Sequence, residues 1–119
     1  MEDTFQVDKT AALELAALIR DHRGEDVIVM DLREINHWTD FFVVATVSSS
    51  AHVQGLQRHI KDYARDKGIE ILRQHRKASS DDEWNLIDLG NIVVHLMSSG
   101  SRSFYELERL WSAAVIVSP

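Results

Sequence analysis

The chain has 119 residues, 13 of them basic and 19 acidic, which gives a net charge of −6, and it contains no cysteine. This length suits one domain, so we treat 1–119 as a single domain. Disulfides, thiol catalysis and cysteine-ligated zinc are excluded. The acidic balance argues against nucleic acid as the main partner, because phosphate contacts need a basic face, and it favours a basic protein partner.

The first predicted element is a helix from about Asp8 to Arg23, with Gly24 where a helix stop is expected. Its apolar residues recur at the i, i+3, i+4, i+7 spacing of one helix face: Ala12, Leu15, Ala16 and Ile19. Two short apolar runs follow, at 27–30 and 41–45. Polar residues bound both runs, which predicts strands covered on both faces.

A longer helix is predicted after the three serines 48–50, and it closes at Gly68. Its apolar stripe is Val53, Leu56, Ile60 and Ala64. Gly55 inside this helix costs about 1 kcal/mol relative to alanine, so we expect a close packing contact at that position.

Residues 69–73 are predicted to form a third strand, and 74–83 a polar loop. Residues 84–88 and 92–96 predict two further strands, joined by a tight turn in which Gly90 supplies a positive φ. A last helix begins near Ser101, and its apolar stripe is Phe104, Leu107, Leu110, Trp111 and Ala114.

This order of elements predicts an α/β fold in which a mixed sheet of about five strands is flanked by helices. The domain core spans about 8–112, and the short apolar tail 113–119 is not assigned to any element. No apolar run approaches the roughly 20 residues that cross a bilayer. The acidic start, Met1 to Thr4, lacks the basic-then-apolar order of a secretory signal, so we expect a cytoplasmic protein that does not contact a membrane.

Six histidines raise the question of a metal site, but no two of them lie four apart on a helix face. His52 and His59 lie seven apart with no third ligand in view, which favours solvated surface histidines. His95 lies inside an apolar strand and is expected to be a hydrogen-bonded core or interface histidine. We therefore expect no bound metal.

The phosphate-binding loops of nucleotide enzymes are missing, since neither Gly-x-x-x-x-Gly-Lys nor Gly-x-Gly-x-x-Gly occurs. The serines 48–50 are expected to cap a helix rather than to hold an anion. Asp31 and Asp40 flank strand ends, but neither has a second acid two residues away, so we expect turn and capping roles. The acidic run 81–83 is expected to be solvated. These observations predict that the protein is not an enzyme and has no cofactor.

The aromatic residues in the C-terminal third are the remaining candidates for a functional role. Tyr105 falls about 100° around its helix from Phe104 and outside the apolar stripe, so it is a candidate exposed aromatic. Trp84 starts a strand after a polar loop and is expected to be partly buried. Such residues could anchor a protein interface. Alternatively, Trp84 and Trp111 belong to the core and Tyr105 covers them, and the pattern leaves both interpretations open.

Two segments, WNLIDLGNIVVHLM at 84–97 and RSFYELERLW at 102–111, resemble the ribosomal silencing factor (Iojap) family. The front half is similar too, with DLR at 31–33, TDFFVVA at 39–45 and two serines before the second helix. The resemblance covers about 8–112. Its most specific part is Val-Val-His, then Arg, then Tyr-x-Leu-Glu-x-Leu-Trp.

The resemblance implies a mixed-sheet fold related to nucleotidyltransferases but without their catalytic residues. It also implies binding to the large ribosomal subunit through large-subunit ribosomal protein fourteen, which would sterically block joining of the small subunit and repress translation. A homodimer of the free protein is a further expectation. By resemblance, the partner-contacting residues are Trp84, Asp88, Arg102, Tyr105, Glu106 and Arg109.

Three positions depart from the family pattern. Residues 74–77 and the following loop replace the usual Glu-Gly before Trp84, Val47 stands where a glycine is usual, and Asn91 replaces an aspartate. Two alternatives stay open. One is a nucleotidyltransferase-like enzyme, which would need metal-binding carboxylates, and the other is a homodimeric adaptor that uses the same aromatic surface for itself.

Overall fold

The computed structural model describes residues 4–33, 39–76, 84–105 and 115–118. In chain order its elements are α1 (Thr4–Asp21), β1 (Glu25–Asp31), β2 (Phe41–Thr46), α2 (Ser50–Lys67), β3 (Arg73–Arg76), β4 (Trp84–Asp88), β5 (Ile92–Met97), α3 (Ser99–Tyr105) and β6 (Val115–Ser118). The predicted α/β class is confirmed.

The strands form one mixed sheet in the order β3-β4-β5-β2-β1-β6. At its centre β2 and β5 run parallel, with Val43 opposite Val94, while the other described neighbours are antiparallel. The sheet has six strands where about five were predicted. The additional strand comes from the apolar tail, because β6 pairs with β1 along the edge of the sheet.

Helices α1 and α2 cover one face of this sheet, and their apolar stripes form the main core with alternate residues of the central strands. Every residue that the helical periodicity assigned to those two stripes is buried. The helices also touch through polar atoms, since Tyr63 Oη donates a hydrogen bond of 2.5 Å to Glu14. Burial, and then the Glu14 carboxylate, raise the pKa of Tyr63, so the phenol remains a donor at neutral pH.

The predicted ends of α2 and of the hairpin are confirmed. Ser49 caps α2, where its side chain accepts a hydrogen bond from the His52 backbone N–H at 3.1 Å. Gly68 ends the helix in the left-handed conformation, with φ of 71°. Gly90 has φ of 92° in the turn between β4 and β5. Local sequence signals therefore set these boundaries.

Two local expectations were wrong. Residues 69–72 form no strand, and β3 lies instead at Arg73–Arg76, so that it shares only Arg73 with the predicted strand and continues into the segment predicted to be a loop. Ile69 and Ile71 still pack against the core, which explains the apolar signal without a strand. Gly55 has no close packing contact, because a Cβ built there meets nothing within 4 Å.

The last helix begins at Ser99, close to the predicted start, and is described as far as Tyr105. Its predicted continuation to residue 114 lies outside the described residues. Among the helices in the described part of the chain, none combines the length and the apolar character that crossing a membrane would need.

Candidate functional site

The face of the sheet opposite α1 and α2 carries the candidate site. Side chains alternate along a strand, so every second residue of the central strands points to this face. Those side chains form a second buried cluster: Met30, Leu32, Phe42, Val44, Trp84, Val93 and Met97. Helix α3 follows β5 and packs against it. We refer to this side of the sheet as the α3 face.

Trp84 and His95 form a buried pair on the α3 face. The Trp84 indole Nε1 donates a hydrogen bond of 3.1 Å to His95 Nδ1, which places the imidazole proton on Nε2. The Phe42 ring meets the His95 ring edge to face, with centroids 4.3 Å apart. His95 is thus the hydrogen-bonded core histidine that was predicted. Trp84 is only 8% exposed, so the expectation of a partly buried tryptophan was wrong.

Arg102 lies at the same end of this face as Trp84. Trp84 pairs with Met97, and Met97 pairs with Thr46 across the parallel strands. The half-buried Arg102 donates a hydrogen bond of 2.9 Å from Nη1 to Thr46 Oγ1. The structure therefore brings Arg102 and Trp84 together at the carboxyl ends of β2 and β5.

Asp88 lies at the opposite end of β4. It lies four positions along the strand from Trp84, a distance of about 13 Å at roughly 3.3 Å per residue of strand. Its Oδ1 accepts a hydrogen bond of 2.9 Å from the Gly90 backbone N–H. This contact stabilises the turn between β4 and β5, so the structure does not place Asp88 beside Arg102.

The remaining predicted contact residues lie at or beyond the end of α3. Tyr105 is the last residue of that helix, three positions after Arg102 in the chain. Glu106, Arg109 and the acidic run 81–83 lie outside the described residues. The end of the α3 face that carries Trp84 and Arg102, together with Tyr105, is the candidate partner surface.

One of the two candidate carboxylates for catalysis, Asp31, has a structural role. Arg33 holds Asp31 through Nε at 2.9 Å and Nη2 at 2.6 Å, and its backbone N–H adds a third hydrogen bond to the same carboxylate. The hydrogen bonds from Arg33 lower the pKa of Asp31, against a smaller opposing effect of burial. The predicted turn role of Asp31 is confirmed. Within the described ranges, no group of three or more histidines and carboxylates could hold a metal ion.

The two histidines on α2 differ in their exposure to solvent. His59 is exposed, as predicted, but His52 is partly buried and bonded on both ring nitrogens, so the expectation of a solvated side chain was wrong for it. His52 Nδ1 accepts from the Ser48 backbone N–H at 3.1 Å, and Nε2 donates to the His22 carbonyl at 2.8 Å. No local pattern predicts this contact, because His22 lies far from His52 in the chain, on the turn after α1.

These features define a class of protein: a mixed α/β domain with a buried Trp–His pair, an arginine beside it on α3 and a structural role for the candidate catalytic acid Asp31. The model of one protein family, described as "Ribosomal silencing factor during starvation", matches residues 6–118. The chain belongs to this family. The resemblance seen in the sequence is therefore confirmed.

Relatives with this family name cover most of the chain. The ribosomal silencing factor of Treponema pallidum is 37% identical over 106 residues, which are 89% of this chain and 94% of that protein. The ribosomal silencing factor of Bacillus subtilis is 39% identical over 99 residues, covering 83% of this chain and 82% of that one. A mouse protein named for mitochondrial assembly of the ribosomal large subunit is 29% identical, over 82% of this chain and 43% of its own length.

Solved structures share the fold. A crystal structure from Bacillus halodurans matches with a TM-score of 0.73 and 32% identity, covering 92% of this chain and 99% of that one. A protein from Chromobacterium violaceum matches with a TM-score of 0.75 and 28% identity, covering 87% and 85%. The family name describes a silencing factor rather than an enzyme, which agrees with the structural role of Asp31.

Proposed function

We propose that this protein binds the large ribosomal subunit through large-subunit ribosomal protein fourteen and keeps the small subunit from joining. Silencing is then steric, needs no chemistry and represses translation in the cytoplasm. The observation that carries the proposal is the family match over residues 6–118, which includes the whole segment from Trp84 to Tyr105. The mouse relative, named for the ribosomal large subunit, supports the choice of subunit.

The contact that we propose is formed by Arg102, Tyr105, Glu106 and Arg109. In sequence these residues have the i, i+3, i+4, i+7 spacing of one helical face. We leave Trp84 outside the direct contact, because its indole is buried against His95 and cannot offer a large area to a partner. We leave Asp88 outside the contact, since it lies at the far end of β4 and stabilises a turn.

The acidic charge of the chain favours this kind of partner. With a net charge of −6, the protein would be repelled from exposed ribosomal RNA and attracted to a basic ribosomal protein. The alternative of a nucleotidyltransferase-like enzyme is less well supported, because Arg33 holds Asp31, one of its two candidate carboxylates.

Tyr105→Ala tests the proposed contact. Aromatic residues near the centre of an interface typically contribute about 1–3 kcal/mol, so binding to isolated large subunits should weaken by roughly 5-fold to 150-fold. The melting temperature should stay that of the wild type. Co-sedimentation with large subunits, with thermal melts of both proteins, measures both effects. Leu72→Ala is the matched control, because Leu72 is 57% exposed and hydrogen-bonded to Asp88 at the opposite end of β4.

Equal co-sedimentation of Tyr105→Ala and the wild type would remove Tyr105 from the interface. A large drop in its melting temperature would instead assign Tyr105 to the core. If Leu72→Ala weakened binding as much as Tyr105→Ala, the contact would lie at the other end of the sheet.

We further propose that the free protein forms a homodimer through the same surface as the ribosomal contact. Adding large-subunit ribosomal protein fourteen should then convert dimers into one-to-one complexes, because the two partners compete for one surface. Sedimentation velocity during such a titration measures the species present. A stable complex that still contains two copies of this chain would show that the two surfaces are separate.

A further inference from the structure

The outward surface of α2 forms a face of its own. His59 points toward the end of α1, since its ring lies against that of His22 with the centroids 3.8 Å apart. Tyr63 faces α1 as well, because it donates its hydrogen bond to Glu14. The buried stripe of α2 faces the sheet, and the third face points to solvent. That third face carries four exposed residues: Gln54, Arg58, Lys61 and Arg65.

The cations of this face are regularly spaced. Its four residues follow the spacing i, i+4, i+7, i+11, so at about 100° per residue they fall within an arc of about 60°. We call Arg58, Lys61 and Arg65 the basic stripe. At about 1.5 Å per residue, its neighbouring members lie roughly 4.5 and 6 Å apart along the helix axis, so each successive turn presents one cation.

The side chains of the basic stripe are available to a partner. Within the described ranges, neither Arg58 nor Lys61 has an ion-pair partner. Arg65 pairs with Asp62 at 3.0 Å, but the two side chains are 72% and 54% exposed. Exposed pairs of this kind contribute little free energy, so a stronger anion can replace the Asp62 carboxylate.

The charges of the chain are unevenly distributed around this stripe. Residues 50–77, which include α2 and β3, contain seven of the 13 basic residues but only three of the 19 acidic ones. This segment therefore has a local charge of +4 in a chain whose net charge is −6. At about 0.15 M salt, charges more than about 8 Å apart are largely screened. The local charge, rather than the net charge, therefore governs what this face can bind in direct contact.

The chemistry of the outward face favours a phosphate backbone over a protein. The centres of protein interfaces are rich in aromatic and other apolar side chains, and the four residues of this face include none. Leu72 is the exposed large hydrophobic residue in the described part of the chain, and it lies beyond the end of α2. Phosphate contacts need only cations, and without an aromatic ring this face has no platform on which a base could stack.

We propose that the basic stripe of α2 binds the phosphate backbone of RNA, with no preference for sequence. The lack of preference follows from a contact made by cations alone, because the phosphates are the same in every RNA sequence. The bound RNA lies on the opposite side of the sheet from α3, so both surfaces can be occupied together. The contact does not depend on the proposed binding to a ribosomal protein.

Fluorescence anisotropy of a labelled RNA duplex of mixed sequence, titrated with the full chain, tests this proposal. We expect saturable binding that weakens roughly 20-fold to 40-fold between about 50 and about 200 mM KCl, as three neutralised phosphates would require. Arg58→Glu and Lys61→Glu should each weaken binding about tenfold at the lower salt concentration and reduce the salt dependence by about one phosphate contact. Both positions are exposed and glutamate is a good helix former, so the melting temperatures should stay those of the wild type.

Arg20→Glu is the matched control. Arg20 is an exposed arginine in the last turn of α1, and its reversal changes the net charge as much as Arg58→Glu does. It should change the affinity for RNA by less than about twofold. Equal losses in Arg20→Glu and Arg58→Glu would mean that only the bulk charge matters, and the proposal would be overturned.

Two further outcomes would also contradict the proposal. One is a wild type that shows no saturable binding at the lower salt concentration. The other is polyglutamate binding as tightly as the duplex, which would make this face a site for an acidic protein. The assay contains no ribosomal component, so its result is independent of the proposed silencing contact.

Discussion

Trp84→Ala should lower the free energy of unfolding by about 3–5 kcal/mol, the usual cost of removing a buried aromatic side chain. The indole is 8% exposed and packs in the cluster on the α3 face, so its removal leaves a void beside Phe42 and Met97. His95 Nδ1 would also lose its donor, which adds the cost of a buried polar atom without a partner. Urea denaturation followed by circular dichroism measures the change.

A second substitution at this position separates the cost of the void from the cost of the lost hydrogen bond to His95. Trp84→Phe keeps most of the apolar volume but removes the indole N–H, so it should cost about 1–3 kcal/mol through the unsatisfied His95 nitrogen. Leu72→Ala, at a highly exposed position, should stay within about 0.5 kcal/mol of the wild type. If Trp84→Ala unfolded at the same urea concentration as the wild type, Trp84 would be a surface anchor and the buried pair would be wrong.

Ile60→Ala and Val94→Ala should each lower the free energy of unfolding by about 2–4 kcal/mol. Both side chains are fully buried in the core between the helices and the sheet, Ile60 from α2 and Val94 from the central parallel pair. Truncation leaves a cavity that the close-packed surroundings fill only in part. Thermal and urea unfolding of each variant give the two values.

Lys61→Ala provides the control on the same helix, because Lys61 follows Ile60 but faces solvent. Its stability should match that of the wild type within about 0.5 kcal/mol. Unchanged melting of both Ile60→Ala and Val94→Ala would mean that the apolar faces of α2 and β5 are wrongly placed. A loss in Lys61→Ala as large as in Ile60→Ala would lead to the same conclusion for α2.

The parts of the fold that sequence could predict are those governed by local rules. The stripe of α2 follows from helical periodicity, and the ends at Ser49 and Gly68 follow from the chemistry of helix caps. The hairpin of β4 and β5 follows from two apolar runs around Gly90. Each of these signals lies within a few residues of the structure that it specifies.

The parts that sequence missed depend on distant contacts. Strand β3 consists of polar residues at the sheet edge, and β6 is a short apolar segment without periodicity, so neither carries the usual strand signal. The burial of Trp84 depends on His95 across the hairpin. The rings of His22 and His59 meet only because α1 and α2 pack side by side on the sheet.

The candidate site, too, could be predicted from sequence only in part. The resemblance selected Arg102 and Trp84, and the register of β2, β5 and β4 places both at one end of the α3 face. Sequence alone could not show that Asp88 lies away from Arg102 and Trp84. Its place at the turn follows only from the direction in which β4 runs. Motif matching identifies residues, whereas strand topology decides which of them share a surface.

The pairing of β6 with β1 has a consequence for biosynthesis. Met30 emerges early from the ribosome, but its partner Ile116 is among the later residues to be made. Until then one edge of β1 has unpaired backbone N–H and C=O groups, which can recruit a strand of another chain. Such a long-range contact also slows folding. The nascent protein is therefore most prone to aggregation during the interval between the synthesis of β1 and that of β6.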